Sequence, residues 1–276
     1  KIKKTVIKIS FIHVYVLCLS TYLSAAFEHY PADPAAVGSG LITINIQANA
    51  IGIFADPASV TSFQNRHVGV SSGKRFGLSL LKHQSAALAF PVKNGYAAFG
   101  ASIFGDEHYS EKMWCLIMGR QFSDRLSIGM GLMYYDLQIK NYGQAGSWGI
   151  NVGWNMKLDD TLYWRGYWRN INGPTIGSAR ESLPQVLVSA LTYTPIPQAN
   201  VIVEWEQDTI YDSRVKFGGQ FNLLPWVTIH TGHAISPGQT TAGIEINYKQ
   251  IIINYALSTH SHLDLSHWLG LGFSFR

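Results

Sequence analysis

Ala242-Gly243-Ile244-Glu245-Ile246-Asn247-Tyr248 is the stretch whose reading decides the fold. Ala242, Ile244, Ile246 and Tyr248 recur at every second position with Gly243, Glu245 and Asn247 between them, so an extended chain carries one apolar face and one polar or small face. After a residue or two around Lys249 the pattern resumes: Ile251, Ile253, Tyr255 and Leu257 oppose Gln250, Asn254 and Ser258. The last run sets Leu269, Leu271, Phe273 and Phe275 against Gly270, Gly272 and Ser274, just before Arg276. Each run is about as long as a tilted strand that crosses a bilayer. The pattern is that of a barrel wall. A soluble sandwich would carry more charge on its polar faces.

Working back from this stretch, about fourteen strands are expected from Arg66 onward, near 66–73, 84–92, 96–105, 108–121, 126–141, 146–157, 161–171, 185–194, 199–208, 212–222, 226–234, 239–248, 250–258 and 265–276. Even-numbered strands are followed by tight links such as Lys93-Asn94-Gly95 and Asp159-Asp160, which carry hairpin chemistry. Odd-numbered strands are mostly followed by longer links, including 74–83, 172–184 and 259–264. Short turns on one side and longer loops on the other are the habit of bacterial outer-membrane barrels, and an even strand count returns both ends to the same side. The expected fold is therefore an all-β, transmembrane antiparallel β-barrel of about fourteen strands, residues 65–276.

The alternation also assigns faces. Leu126, Ile128, Met130, Leu132 and Tyr134, and then Trp148, Ile150, Val152, Trp154 and Met156, are expected to face lipid. In the next strand Leu162, Trp164 and Trp168 oppose Tyr163, Arg165, Tyr167 and Arg169. Charge on a lipid face near the midplane costs about 2–4 kcal/mol, so Arg165 and Arg169 are expected to point into the lumen, as are Glu204, Glu206 and Glu245 on their own strands. Inward Arg and Glu would then satisfy one another. The 8 Trp and 14 Tyr residues suit aromatic girdles.

Residues 27–64 break the pattern with Pro31, Pro34, Gly38, Gly40, Gly52 and Pro57, and are expected to form a short N-terminal hatch segment against or inside the barrel. Leu41 to Ala50 reads as a short helix or an extended piece. Residues 1–26 have a basic start, an apolar middle and the small residues Ser24, Ala25 and Ala26, as a secretory signal peptide does. Four of the 21 basic residues (Lys1, Lys3, Lys4 and Lys8) fall there, so the rest of the chain balances its 17 acids and gives no support for nucleic-acid binding. Cys18 would leave with the signal, and Cys115 alone cannot form an internal disulfide. The expected address is the bacterial outer membrane, with its lipid as the first partner.

Catalytic motifs are few and weak. Gly69-Val70-Ser71-Ser72-Gly73 matches G-x-S-x-G, but no helical pattern follows it to build a nucleophile elbow. His260 and His262 could share a strand face, and His230, His233 and His267 lie nearby in sequence, yet no Cys or acid completes a metal set. No enzyme activity and no cofactor is expected.

The segment Gly38-Ser39-Gly40-Leu41 leads to Asp56-Pro57-Ala58-Ser59-Val60, and this resembles the glycine-rich lead into an Asn-Pro-Ala element of the PorV/PorQ family, relatives of the FadL fatty-acid transporter barrels, with Asp56 departing from the usual Asn. Tyr167-Trp168-Arg169-Asn170-Ile171-Asn172-Gly173-Pro174, the stretch Phe217-Gly218-Gly219 to Leu224-Pro225-Trp226, and the closing Phe273-Ser274-Phe275 add to the likeness. The final Arg276 departs from the usual terminal aromatic. The resemblance implies a hatch motif at Asp56, Pro57 and Ala58, and an accessory or anchoring role in type IX protein secretion, with translocon or exported cargo proteins as partners. The alternative implied by FadL itself is a passive channel for hydrophobic small molecules, with a hydrophobic ligand.

Overall fold

The computed structural model describes residues 26–44, 49–236 and 238–275. The segment read as a signal peptide, apart from Ala26, lies outside the described residues, as do Cys18 and Arg276. Sixteen strands run in chain order: β1 Arg66–Lys74, β2 Lys82–Val92, β3 Gly95–Gly105, β4 Tyr109–Ser123, β5 Leu126–Ile139, β6 Gly143–Lys157, β7 Leu162–Arg169, β8 Thr175–Ile176, β9 Glu181–Ser182, β10 Val186–Ile196, β11 Ala199–Asp208, β12 Arg214–Leu224, β13 Val227–Ala234, β14 Gln239–Tyr248, β15 Ile251–Ser258 and β16 Ser266–Phe275. Fourteen of them close an antiparallel barrel, and β8 and β9 form a small hairpin of their own. The first strand seals against the last, with Val70 opposite Leu271 and Arg66 opposite Phe275. Closure leaves no unpaired sheet edge, the condition a sheet must meet in hydrocarbon. No helix among the described residues is long and apolar enough to cross a membrane, which says nothing about a barrel.

Alternation carries through to burial. Leu269 and Leu271 are about half exposed on the outer face of β16, while Trp268 between neighbouring strands is 1% exposed on the inner face. Outward aromatics pack on one another, as Tyr134 does on Trp148 with ring centroids 4.7 Å apart. Because Leu271 stands mid-strand on that outer face, Leu271→Arg should cost about 2–4 kcal/mol in lipid. Reversible urea unfolding in bilayers reads this, and an unchanged midpoint would contradict the outward assignment.

The hairpin β8–β9 is an addition to the expected strands; it sits in the link between β7 and β10. Strand β6 outruns β7, which stops at Arg169. Asn170 takes φ +56°, a backbone region that Asn tolerates better than most residues. The following residues then replace the missing strand: Ile171 N–H donates to the Ile150 carbonyl (2.9 Å), and the Asn172 amide accepts from Ile150 N–H (2.9 Å) and donates to the Trp148 carbonyl (2.9 Å). The exposed flank of β6 is thereby satisfied without another strand.

Residues 26–44 and 49–64 lie within the ring. Their helix α1 (Pro34–Gly38) packs on β13 to β16, and the 3-10 turns Ala50–Phe54 and Pro57–Ser62 pack on β1 to β6, two arcs that meet at the β1–β16 seam. A short helix forms at Pro34–Gly38 because Asp33 caps it and proline suits its first turn. Leu41 to Ala50 contains no helix among its described residues before Ala50.

Candidate functional site in the lumen

Inward glycines are the seats for the N-terminal segment. A Cβ on Gly129 of β5 would collide with the Pro57 carbonyl, and one on Gly153 of β6 would meet Asp56 and Ala58. Across the lumen Gly38 lies against Gly243, and Gly40 N–H donates to Thr241 Oγ1 at 2.7 Å. Backbone therefore meets backbone at both ends of the segment, which a side chain on either partner would prevent.

Between these contacts runs a buried chain of hydrogen bonds. Arg169 Nη1 donates to His29 Nδ1 (3.0 Å), His29 Nε2 lies 2.6 Å from the Tyr167 hydroxyl, and that hydroxyl donates to Thr43 Oγ1 (2.5 Å). Thr43 Oγ1 and the Thr43 and Ile44 amides donate to the Glu204 carboxylate at 3.0, 2.8 and 3.1 Å. Lys216 Nζ bridges Glu204 (2.9 Å) and Glu206 (2.6 Å). An arginine donor on Nδ1 fixes His29 as the Nε2–H tautomer, and burial lowers its pKa to about 3, against the opposing pull of Glu206.

Glu206 has an arginine near it, but it is Arg214, its register neighbour at 3.7 Å, and not Arg165 or Arg169. Glu204 takes Lys216, its register neighbour on β12, whereas Arg165 is two strands away with Ala190 between them. Arg169 instead reaches His29, Tyr135 Oη (3.3 Å) and the Phe27 carbonyl (3.4 Å). Arg165 stacks on Tyr163 and faces Asp56 electrostatically, and Glu245 is buried on β14. Lys216 and His29, central to the network, were passed over. An inward lysine beside two inward acids in register was the available signal for the first, and no sequence pattern marked the second.

The motif residues Asp56, Pro57 and Ala58 open the second 3-10 turn. Asp56 Oδ1 accepts from Ala58 N–H at 2.9 Å, the capping bond an Asn would also make, so the departure from Asn preserves the turn. Ser71 stays within the β1 ladder and donates to the Ala32 carbonyl (2.9 Å), holding the segment rather than forming an elbow. His230 faces inward and meets Ser39 Oγ at 3.1 Å. No metal-ligand cluster occurs among the described residues.

Two cavities flank the segment. The outer one, about 100 Å³, is lined chiefly by Phe27, Tyr30, Phe54, Phe104, Met113 and Trp268 near the mouth with the longer loops. Its rim is pinned by Arg75, which pairs with Glu28 at 2.8 Å and lies over Tyr30, itself stacked on Trp268. The inner one, about 340 Å³, is polar and lies near Trp226, Thr228 and Asn247. Asp33 lines the first and Asn49 the second, and Asn49 Nδ2 donates to Asp33 Oδ1 (2.8 Å) as part of the partition between them.

Burial raises the pKa of both Asp33 and Asp56 to about 7, opposed by their capping bonds and, for Asp56, by Arg165. A seated segment therefore holds two protons over the window from about 4 to 7 that an unseated one releases, and seating strengthens as pH falls through it. His29 works the other way below its ordinary 6.5, since protonation would break its bond from Arg169. Two groups outweigh one at about 1.4 kcal/mol per pH unit each. The segment should resist protease better at pH 5 than at pH 8, and Asp33→Asn with Asp56→Asn should abolish or reverse that trend.

No protein-family model and no curated protein matches this chain. Solved structures do. The toluene transporter TbuX of Ralstonia pickettii superposes with a TM-score of 0.65 at 11% identity, covering 91% of this chain and 100% of TbuX. The monoaromatic hydrocarbon channel CymD gives 0.64 at 13% identity, covering 89% and 98%, and the Pseudomonas putida toluene transporter TodX gives 0.61 at 12%, again 89% and 98%. At these identities the likeness is one of fold: a closed fourteen-strand antiparallel barrel.

Proposed function

We propose that the protein is a bacterial outer-membrane channel for small hydrophobic molecules, with residues 27–64 as its hatch. The observation that carries this reading is the outer cavity, whose aromatic residues Phe27, Tyr30, Phe54, Phe104 and Trp268 stand among charged ones such as Arg75 and Glu111, in a barrel whose fold is shared by hydrocarbon channels. The lumen is chemically divided. Apolar residues such as Phe54, Phe63, Ile117 and Met133 cluster toward β2 to β5, while Glu204, Glu206, Lys216 and Arg169 occupy the arc from β7 to β12. A cavity of about 100 Å³ is smaller than the sites of about 300 Å³ and above that enclose drug-sized ligands, so passage needs the Asp33–Asn49 partition and its neighbours to move. Cells expressing the full chain should take up toluene faster than cells lacking it, with no gain for polar solutes of equal size. Equal toluene uptake overturns the reading.

An accessory role in protein export, as the PorV/PorQ likeness suggests, is favoured by one observation: the charged, hydrogen-bonded packing of the hatch against the wall. Recovery of a large translocon subunit with the protein purified from outer membrane would support that role over transport.

A further inference from the structure

The first described residues are held in an unusual way. Ala26 is 6% exposed and Phe27 4%, so the chain is buried at the point where it enters the lumen. Phe27 has φ +59°, a left-handed backbone that bulky residues seldom adopt. Its ring packs edge-on to Tyr135 (4.8 Å), and its carbonyl accepts from Arg169. Phe27 lines the same cavity as Glu111, an inward acid of β4 that is 8% exposed, whose carboxylate lies near the Phe27 main-chain N–H and accepts from Tyr109 Oη at 2.5 Å. The other charged groups close by are Arg169 and Glu28, and Glu28 is already committed to Arg75.

Arg169 offsets part of the Glu111 charge from nearby, but the carboxylate's near donors are a hydroxyl and an amide, and buried charge calls for a charged donor in contact. The sequence supplies one. Ser24 and Ala26 are small residues at the third and first positions before the Ala26–Phe27 bond, the spacing at which exported chains are cut. We propose that the mature chain begins at Phe27 and that Glu111 receives its free α-ammonium group, locking the hatch to the outer mouth. Water adds across the Ala26–Phe27 peptide bond in the exported, unfolded chain, by the action of a signal peptidase. Ala26 leaves as a carboxylate, and the Phe27 nitrogen takes up the protons to become –NH₃⁺. Cutting also removes the strain at Phe27, because a first residue has no preceding carbonyl to clash with. The ammonium has three donors where the amide had one, so Glu111 gains a charge-assisted bond in place of a neutral one.

The test uses the full-length gene expressed in a Gram-negative host and the protein purified from its outer membrane. Intact mass and N-terminal sequencing should give Phe27 as the first residue, and any other start overturns the proposal. Amine labelling at pH 7 with a succinimidyl ester then reads the ion pair. The α-amine of the folded protein should react at least about tenfold more slowly than in urea, and Glu111→Gln should restore most of that reactivity. Glu107→Gln, in the exposed link beside β4, should leave labelling unchanged. Heat-modifiable migration on electrophoresis shows whether the Glu111→Gln barrel has folded. Should that variant not fold, the wild-type labelling ratio alone decides: an α-amine as reactive in the folded protein as in urea overturns the ion pair.

Discussion

Glu204→Ala is expected to unseat the hatch while leaving the barrel closed. The fully buried carboxylate accepts from Thr43 N–H, Thr43 Oγ1, Ile44 N–H and Lys216 Nζ. Removing one partner of a buried, hydrogen-bonded charge set costs about 3–5 kcal/mol, and the low end applies because Glu206 still faces Lys216. The loss falls on the segment, since strands β10, β11 and β12 keep their backbone ladders. Protease should then cut within 41–64 in a protein that still migrates as a folded barrel. Glu204→Gln keeps an acceptor for the two amides and should be milder. Equal protection of the Ala variant and the wild type would show that the carboxylate does not hold the hatch.

Gly129→Val should be the next most damaging change. Its Cβ would occupy the position of the Pro57 carbonyl, and neither backbone can retreat without disturbing the ladder or the turn that Asp56 caps. Overpacking of this kind costs about 1–3 kcal/mol, and here the hatch must lift to relieve it. Gly219→Ala is the matched control, because its nearest non-neighbour atom is 3.6 Å away, an ordinary contact. Thermal denaturation in detergent should show a lower midpoint for Gly129→Val and little change for the control. Equal midpoints would remove the close approach from the account.

The wall was legible because period-two alternation is a local signal: each strand announces its outer face through residues such as Leu269, Leu271 and Phe273, and membrane energetics assigns the charged face inward. The inner glycines were legible as small residues but not as seats, since what Gly129 and Gly153 touch lies some 70 to 95 residues earlier in the chain. The His29 partner of Arg169 was hidden for the same reason, since only the path of the segment places it there, whereas the pairing of Lys216 with Glu204 follows from strand register. Asn172 was visible only as part of a loop, although its amide does a strand's work against β6.

Residues 27–44 and 49–64 fill the lumen and are seated on the wall, so the closed barrel should hold no open aqueous path. Conductance of the purified wild-type protein in a planar bilayer tests it most directly. The account predicts no steady open-pore current in salt solution at low voltage, with current appearing in Glu204→Ala. A stable ohmic current through the wild type would contradict it.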